Sequence, residues 1–518
     1  MENTQKPSLF ERKWAPYVLI AAAVLLVYFR SLFFGFTYLD DDALILNNMS
    51  FLGSPGNVFA AFSREVFNGA GGGASYRPLL LVSFIGDAFL GGSAPFVYHL
   101  TNLVLHALTC MVLFAFLRAW GSGALFSLMA SLFFAVHPAL NQAVAWIPGR
   151  NDVLMTLFAL LSFNFFIKFL ETGKRAPFVL HAVLYACALF TKETAVVLPF
   201  FLAFYAAALR RGPVRRPLLS AAAIWLLITS VWFCARAAAL NVLVAGGRYH
   251  VARSLYENSG ALLPYLGKIF FPFNLSVMPV LKDMSPLPGA AALALITAAL
   301  YLRRKTGFRR DVFAGLWFLL WLVPSFIRPA GLPPDFTEHR VYMPFIGLLL
   351  FAGAMEQTLV RRGRAAVLFW LVLTLFAGIS ISRLGCFRDR LSFWENAAAT
   401  SPGSLMNRTK LGAAYYESGR YAEAGAQWGK ALQMAPDDPV ANANMGAIRF
   451  AQGRTWEAAA FWERSLELAP GNVQALSNLA VLNCQKKDYR KAAIYVRELL
   501  QRKARVHPYL LAATKPYR

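Results

Sequence analysis

The sequence predicts an all-α protein in two parts: a polytopic helical membrane domain followed by an α-solenoid of short repeats. Three observations carry this expectation. Of 518 residues, 57% are hydrophobic, above the roughly 45–50% of soluble domains. The excess fills residues 15–384 as apolar blocks separated by short basic or Gly/Pro-rich loops. Residues from 385 onward are instead Ala-rich, charged and spaced with helical period.

The first apolar run, about Pro16 to Phe34, follows a basic flank (Lys6, Arg12, Lys13) and lacks a clear cleavage site. It reads as an uncleaved anchor. Further spans are expected at 97–118, 121–138, 152–170, 177–191, 194–210, 218–240, 287–302, 312–328, 341–358 and 365–383, about 11 in all. Residues 261–285 are apolar too, but Pro264, Pro272, Pro279 and Lys268 argue against a regular spanning helix. They are expected on the outer surface or as a re-entrant piece.

The formal net charge is +24. In a soluble chain that would point to nucleic acid. Here the cations lie in loops between apolar blocks (Lys168/Lys174/Arg175, Arg210–Arg216, Arg303–Arg310, Arg361–Arg364), so topology explains them and no nucleic-acid partner is expected. With those loops cytoplasmic, the N-terminus is inside and the repeats are periplasmic or lumenal. The five cysteines have no metal-ligand spacing.

The tail carries a 34-residue period. Pro402, Pro436 and Pro470 obey it, as do Gly412, Gly446 and Ala480, then Ala424, Ala458 and Ala492, then Trp428, Trp462 and Val496. Small residues at fixed points let paired helices approach, which is the tetratricopeptide signature. The expected organisation is a membrane domain over 1–384 with a large first outer loop (35–96), a linker at 385–403 and about three repeats over 404–518. A concave repeat surface suits peptide or protein binding; a plain scaffold is the alternative.

The polar blocks all fall on the expected outer side. They are "YLDDDALILNN" with Asp40, Asp41 and Asp42; "YRP" with Arg77; "HPALNQAVAWIPGRND" with His137, Arg150 and Asp152; "TKET" with Lys192 and Glu193; and "TEHRVYMP" with Glu338, His339 and Arg340. An acid cluster at a membrane exit can be mere solvated charge. Beside low-dielectric surface, a carboxylate gains proton affinity and suits a general base. Arginine, lysine and histidine suit an anionic group. His99, Asn102 and His106 share one face of a predicted span, as ligands or as interhelical glue. Carboxylates and cations on one face fit glycosyl transfer from a lipid-linked phosphosugar.

These blocks, in this order, resemble the transmembrane and tetratricopeptide-repeat protein O-mannosyltransferases and their bacterial relatives, which are C-type glycosyltransferases. The matching stretches are "DDDALILNN", "YRPLLLVSF", "YHLTNLVLHAL", "FAVHPALNQAVAWIPGRND", "TKET" and "EHRVYMPFIGL". The resemblance implies a polyprenyl-phosphate sugar donor, often mannose, and inverting transfer to a hydroxyl, expected to be Ser or Thr of a protein, on the non-cytoplasmic face. It implies Asp40 and Asp41 as catalytic acids. Donor-phosphate or substrate roles would fall among Arg77, His137, Arg150, Asp152, Lys192, Glu193, Glu338, His339 and Arg340. No resident cofactor or metal site is expected, and divalent-metal dependence is left open. Gln142 stands where many relatives have Glu, and three aspartates stand where two are usual. A lipid or glycan acceptor, or a non-catalytic scaffold presenting the repeats, are the competing readings. Gly69–Ser75 is expected to be a hinge in the outer loop.

Overall fold

The computed structural model describes residues 13–67, 75–210, 212–240, 251–303, 307–327, 336–356 and 363–518. The described residues contain helices and turns and no strand. The chain divides into two compact units, Met1–Phe393 and Trp394–Arg518. The glycine-rich stretch 69–74 lies outside the described residues, as do Arg211, Arg304, Lys305, Arg361 and Arg362.

In the first unit, five helical stretches are long and apolar enough to cross a membrane: Ala15–Phe33, Pro95–Trp120, Ile147–Thr172, Arg215–Leu240 and Val367–Phe387. A sixth becomes one if Ala124–Val136 and Pro138–Ala145, bent by 55°, are taken together. The remaining expected spans are helical but shorter, such as Arg175–Thr191, Leu287–Leu302, Phe308–Leu322 and Tyr342–Gly353. Prolines explain several starts: Pro78 and Pro95 open their helices at positions where the missing N–H costs nothing.

Over the expected surface segment, Leu262–Phe270 is a helix and the chain then becomes irregular. This short helix lies against Leu287–Leu302 through two glycines. A Cβ on Gly289 would fall 1.8 Å from the Leu263 carbonyl oxygen, so no other residue allows this approach without movement.

The first loop is built rather than loose. Short helical turns at Asp41–Leu44, Met49–Leu52, Pro55–Val58 and Ala60–Ser63 lead towards helix Pro78–Gly91. Leu44, Ile45, Leu52, Val66, Leu81 and Phe84 form a buried apolar cluster that also takes Ile147. Burying a Val, Leu, Ile or Phe side chain is worth roughly 1.5–3 kcal/mol, so this loop is fastened to the segment before helix Arg150–Thr172. Tyr76 adds a hydrogen bond to the Phe62 carbonyl at 2.7 Å.

In the second unit, helix pairs Leu405–Glu417/Tyr421–Met434, Pro439–Ala451/Thr455–Leu468 and Val473–Gln485/Tyr489–Gln501 follow the 34-residue period. Trp428 Nε1 donates to the Thr409 carbonyl at 2.9 Å, and Trp462 Nε1 donates to the Ala443 carbonyl at 2.9 Å, the same bond one period later. Gly412 and Gly446 make room: a Cβ on either would fall 2.4 Å from the indole nitrogen. The expected linker 385–403 is helical over Arg390–Thr400.

Candidate functional site

Asp41 lies in the first turn after Ala15–Phe33 and is 1% exposed. Its Oδ2 accepts two hydrogen bonds from Thr37, from the backbone N–H at 3.0 Å and from the hydroxyl at 2.6 Å. Its Oδ1 is buried with no hydrogen-bond partner among the described residues. Burial pushes the carboxyl up to about 6; the Thr37 hydrogen bonds and the Tyr38 backbone N–H oppose this and the Asp42 charge adds to it. Tyr38, between Thr37 and the acids, has φ +56, a left-handed conformation uncommon for a non-glycine residue. Asp40 is half-buried and interacts electrostatically with Arg77.

Arg77 begins a chain of ion pairs. Its Nε and one terminal nitrogen bond both oxygens of Glu193, at 3.1 and 2.7 Å. The preceding residue, Lys192, places Nζ 2.7 and 2.8 Å from the two oxygens of Asp152. His339 Nε2 lies 3.8 Å from Asp152 Oδ2, with its ring 5.3 Å from that of Trp146. The structure thus brings Asp40, Arg77, Glu193, Lys192, Asp152 and His339 together from all five of the predicted blocks. Arg340 turns aside: it donates to the Ser325 carbonyl at 2.6 Å and to the Thr337 hydroxyl at 3.2 Å.

Arg150 and Asp152 are two residues apart but serve different neighbours. Arg150 is fully buried and pairs with Asp87. It also donates to Asn102 Oδ1 at 2.6 Å, the Tyr98 carbonyl at 2.8 Å and the Ser83 hydroxyl at 3.2 Å. All three nitrogens are therefore held by the protein. His137 is likewise engaged on both sides: Nδ1 accepts from the Ala139 N–H at 3.2 Å, so Nε2 donates to the Ile269 carbonyl at 3.0 Å. It caps the turn at the 55° bend.

Glu338 is fully buried and carries two cations, Lys268 at 3.2 Å and Arg383. It also accepts from the Ser276 N–H at 2.6 Å. Gln142 ties this group to its neighbours. Its Oε1 accepts from the N–H groups of Glu338 at 2.7 Å and His339 at 3.3 Å, and its Nε2 donates to the Val277 carbonyl at 2.8 Å. An amide does here what a carboxylate cannot, because one of the three bonds needs a donor.

On the helix face His99/Asn102/His106, Asn102 Nδ2 is 3.1 Å from the Val144 carbonyl and His106 Nδ1 is 2.7 Å from the Tyr342 hydroxyl. These residues hold helices together. Thr37, Asp87, Lys268 and Arg383 belong to these groups and were not singled out from sequence as site residues. Their signal is faint: lone polar or charged residues in or beside apolar stretches. Among the described residues, no group of three or more His, Cys, Asp or Glu side chains is placed to hold a metal ion.

The chain is similar to several known proteins. A TPR repeat family model matches residues 412–453. Protein O-mannosyl-transferase TMTC1 of Mus musculus is 35% identical over 194 residues, which are 34% of this chain and 20% of that protein. Protein O-mannosyl-transferase Tmtc1 of Drosophila melanogaster is 32% identical over 181 residues, 34% of this chain and 21% of that one. Protein O-mannosyl-transferase TMTC2 of Mus musculus is 35% identical over 157 residues, 30% of this chain and 19% of that one. The matched stretches thus span about a fifth of the length of these relatives. A crystal structure of ArnT from Cupriavidus metallidurans bound to undecaprenyl phosphate aligns with TM-score 0.44 and 16% identity, over 90% of this chain and 81% of that one.

Proposed function

We propose that this chain is an integral-membrane glycosyltransferase. It moves a sugar, mannose by analogy with the named relatives, from a polyprenyl-phosphate donor to a Ser or Thr hydroxyl of a protein acceptor, on the non-cytoplasmic face. The observation that carries the reading is the carboxylate of Asp41. One oxygen is held by Thr37 and the other is buried without a partner, in the same unit as the ion-pair chain that starts at Arg77. A desolvated, oriented carboxylate with a raised proton affinity suits general-base work near neutral pH.

In the proposed step, Asp41 takes the proton of the acceptor hydroxyl. The acceptor oxygen forms a bond to the anomeric carbon from the face opposite the phosphate. The bond from that carbon to the phosphate oxygen breaks and the electron pair leaves with the lipid phosphate, inverting the centre. Arg77, Lys192 and His339 supply the positive charge that meets the leaving phosphate, while Arg340, turned to the Ser325 carbonyl and the Thr337 hydroxyl, stands apart from them. Asp152 and Glu193 hold Lys192 and Arg77 in place, and Asp40 adds a carboxylate beside Arg77. Arg150, His137 and Glu338 fall to structural roles, since their polar atoms are spent within the protein. The repeat unit is assigned to the acceptor protein, and the positions of the basic loops support a cytoplasmic N-terminus.

Membranes carrying the purified chain, a radiolabelled polyprenyl-phosphate sugar and acceptor protein provide the test. Asp41→Asn is expected to lower transfer by about 10²–10⁴-fold while the protein still inserts and folds. Wild-type transfer by Asp41→Asn would remove the base assignment. Label appearing in lipid and never in protein would overturn the acceptor.

A further inference from the structure

We propose that Thr37 is the positioning residue of this site. By taking Asp41 Oδ2 with both its N–H and its hydroxyl, it fixes the carboxylate so that Oδ1 receives the acceptor's proton. This rests on Asp41 being the base, and it assigns the job to one oxygen and the control of that oxygen to one side chain.

The geometry is unlike an ordinary helix cap. A cap residue precedes the helix and accepts from N–H groups further along it. Here Asp40 occupies the cap position and its side chain makes no capping bond. Asp41 instead stands inside the turn and accepts from a residue four positions earlier. The chain must fold back for this, and it does so through left-handed Tyr38. A left-handed conformation is strained for an L-residue and must be compensated by its surroundings. Thr37 is itself 3% exposed, so its hydroxyl is committed to this bond rather than shared with water. At 2.6 Å the bond has the length of a charge-assisted O–H···O⁻ contact.

A buried carboxylate oxygen without a donor is costly and calls for a reason. Receiving a proton from a bound hydroxyl supplies one, because the acceptor then provides the missing donor. Among the described residues, the elements packed most closely against helix Asp41–Leu44 are the turns Leu46–Asn48 and Ile147–Gly149, and neither carries a titratable side chain. The Tyr38 backbone N–H also favours the ionised carboxylate, but Thr37 is the one side chain that holds it. On the same short helix stands Asp42, whose charge opposes ionisation of Asp41. Asp40 precedes it and interacts with Arg77.

The test compares Thr37→Val, which removes the hydroxyl but keeps the branched shape, with Thr37→Ser, which keeps the hydroxyl. Transfer by the full chain in membranes is followed against pH. Thr37→Val is expected to lower kcat at least 10-fold with little change in KM for the lipid donor. Its acidic limb should move upward by about one pH unit, since a hydrogen bond that favours the ionised form is lost. Thr37→Ser should keep the wild-type limb and kcat within about two-fold. If Thr37→Val does not accumulate in membranes, Thr37→Ala removes the same hydroxyl and carries the same readouts. A folded hydroxyl-free variant with wild-type kcat and an unmoved limb overturns the proposal. Asp41→Asn separates the two layers: if it is active, the base assignment fails; if it is inactive while Thr37→Val is normal, only the role of Thr37 fails.

Discussion

Asp41, Arg150 and Glu338 are all buried ionisable residues, and each meets the cost of desolvation differently. Arg150 spends its three nitrogens on Asp87, Asn102, Tyr98 and Ser83. Removing one partner of a buried pair costs about 3–5 kcal/mol. Arg150→Met is therefore expected to lower the unfolding temperature of the detergent-extracted protein strongly, and a melting curve equal to wild type would refute that role. Glu338 sits under two cations. Of these three, Asp41 is the one with an oxygen left without a hydrogen-bond partner among the described residues, and its carboxyl is up at about 6. A base must be ionised to act. With the folded-state value raised above the usual carboxylate range, transfer should fall as pH drops through about 6 rather than near 4. A limb near 4 in a pH–rate profile of the wild-type chain would deny that Asp41 is the titrating group.

The same scale shows what the sequence could and could not disclose. Asp40, Asp41, Lys192 and His339 stand in dense polar blocks between apolar runs, and such blocks are visible in one dimension. Their pairing is not: Arg77 and Glu193 are 116 residues apart. Arg150 and Asp152 share one block, yet they point to different neighbours, and residue type alone offers no way to separate them. Lys268 and Arg383 look like a stray loop lysine and a helix-end arginine until Glu338 is placed between them.

At the scale of elements, hydrophobic runs located the helices well, because each run of that length must bury or embed its apolar surface. The run expected at 121–138 is the helix Ala124–Val136, and the chain bends by 55° at its end, at His137–Pro138; what the run did not disclose is where the chain goes next. Proline cannot continue the ladder of hydrogen bonds, and His137 closes the gap with its ring nitrogen. The bend is what turns the following segment back so that Gln142 reaches the backbone of Glu338 and His339. The contact of Leu262–Phe270 with Leu287–Leu302 is equally local. Gly289→Ala forces a methyl into the space beside the Leu263 carbonyl. Overpacking of this kind costs typically ~1–3 kcal/mol. A lower unfolding temperature is expected; an unchanged one would mean that the two helices separate freely.

At the scale of the whole molecule, two kinds of order meet in one chain. The first unit is irregular, and its site depends on contacts that no period announces. The second repeats itself, so its helix pairs were readable from spacing alone. Repeat arrays stack neighbour on neighbour, and damage stays local in sequence. Gly446→Ala should clash with Trp462, and Trp462→Val should leave a void and lose the bond to the Ala443 carbonyl. Each single change is expected to destabilise the repeat unit. The double change should cost less than the sum, with a coupling of about 0.5–3 kcal/mol, read by thermal unfolding of all four forms. Simple additivity would contradict this.

The reason for expecting that recovery is already written in the chain. In the third repeat, the positions of the glycine and the tryptophan are held by Ala480 and Val496, both fully buried. The small partner has gained a methyl and the large partner has given up an indole. One protein therefore holds two solutions to the same volume constraint, side by side at equivalent sites. Neither position can be inherited, or engineered, without regard to the other: in this array the unit of variation is the pair.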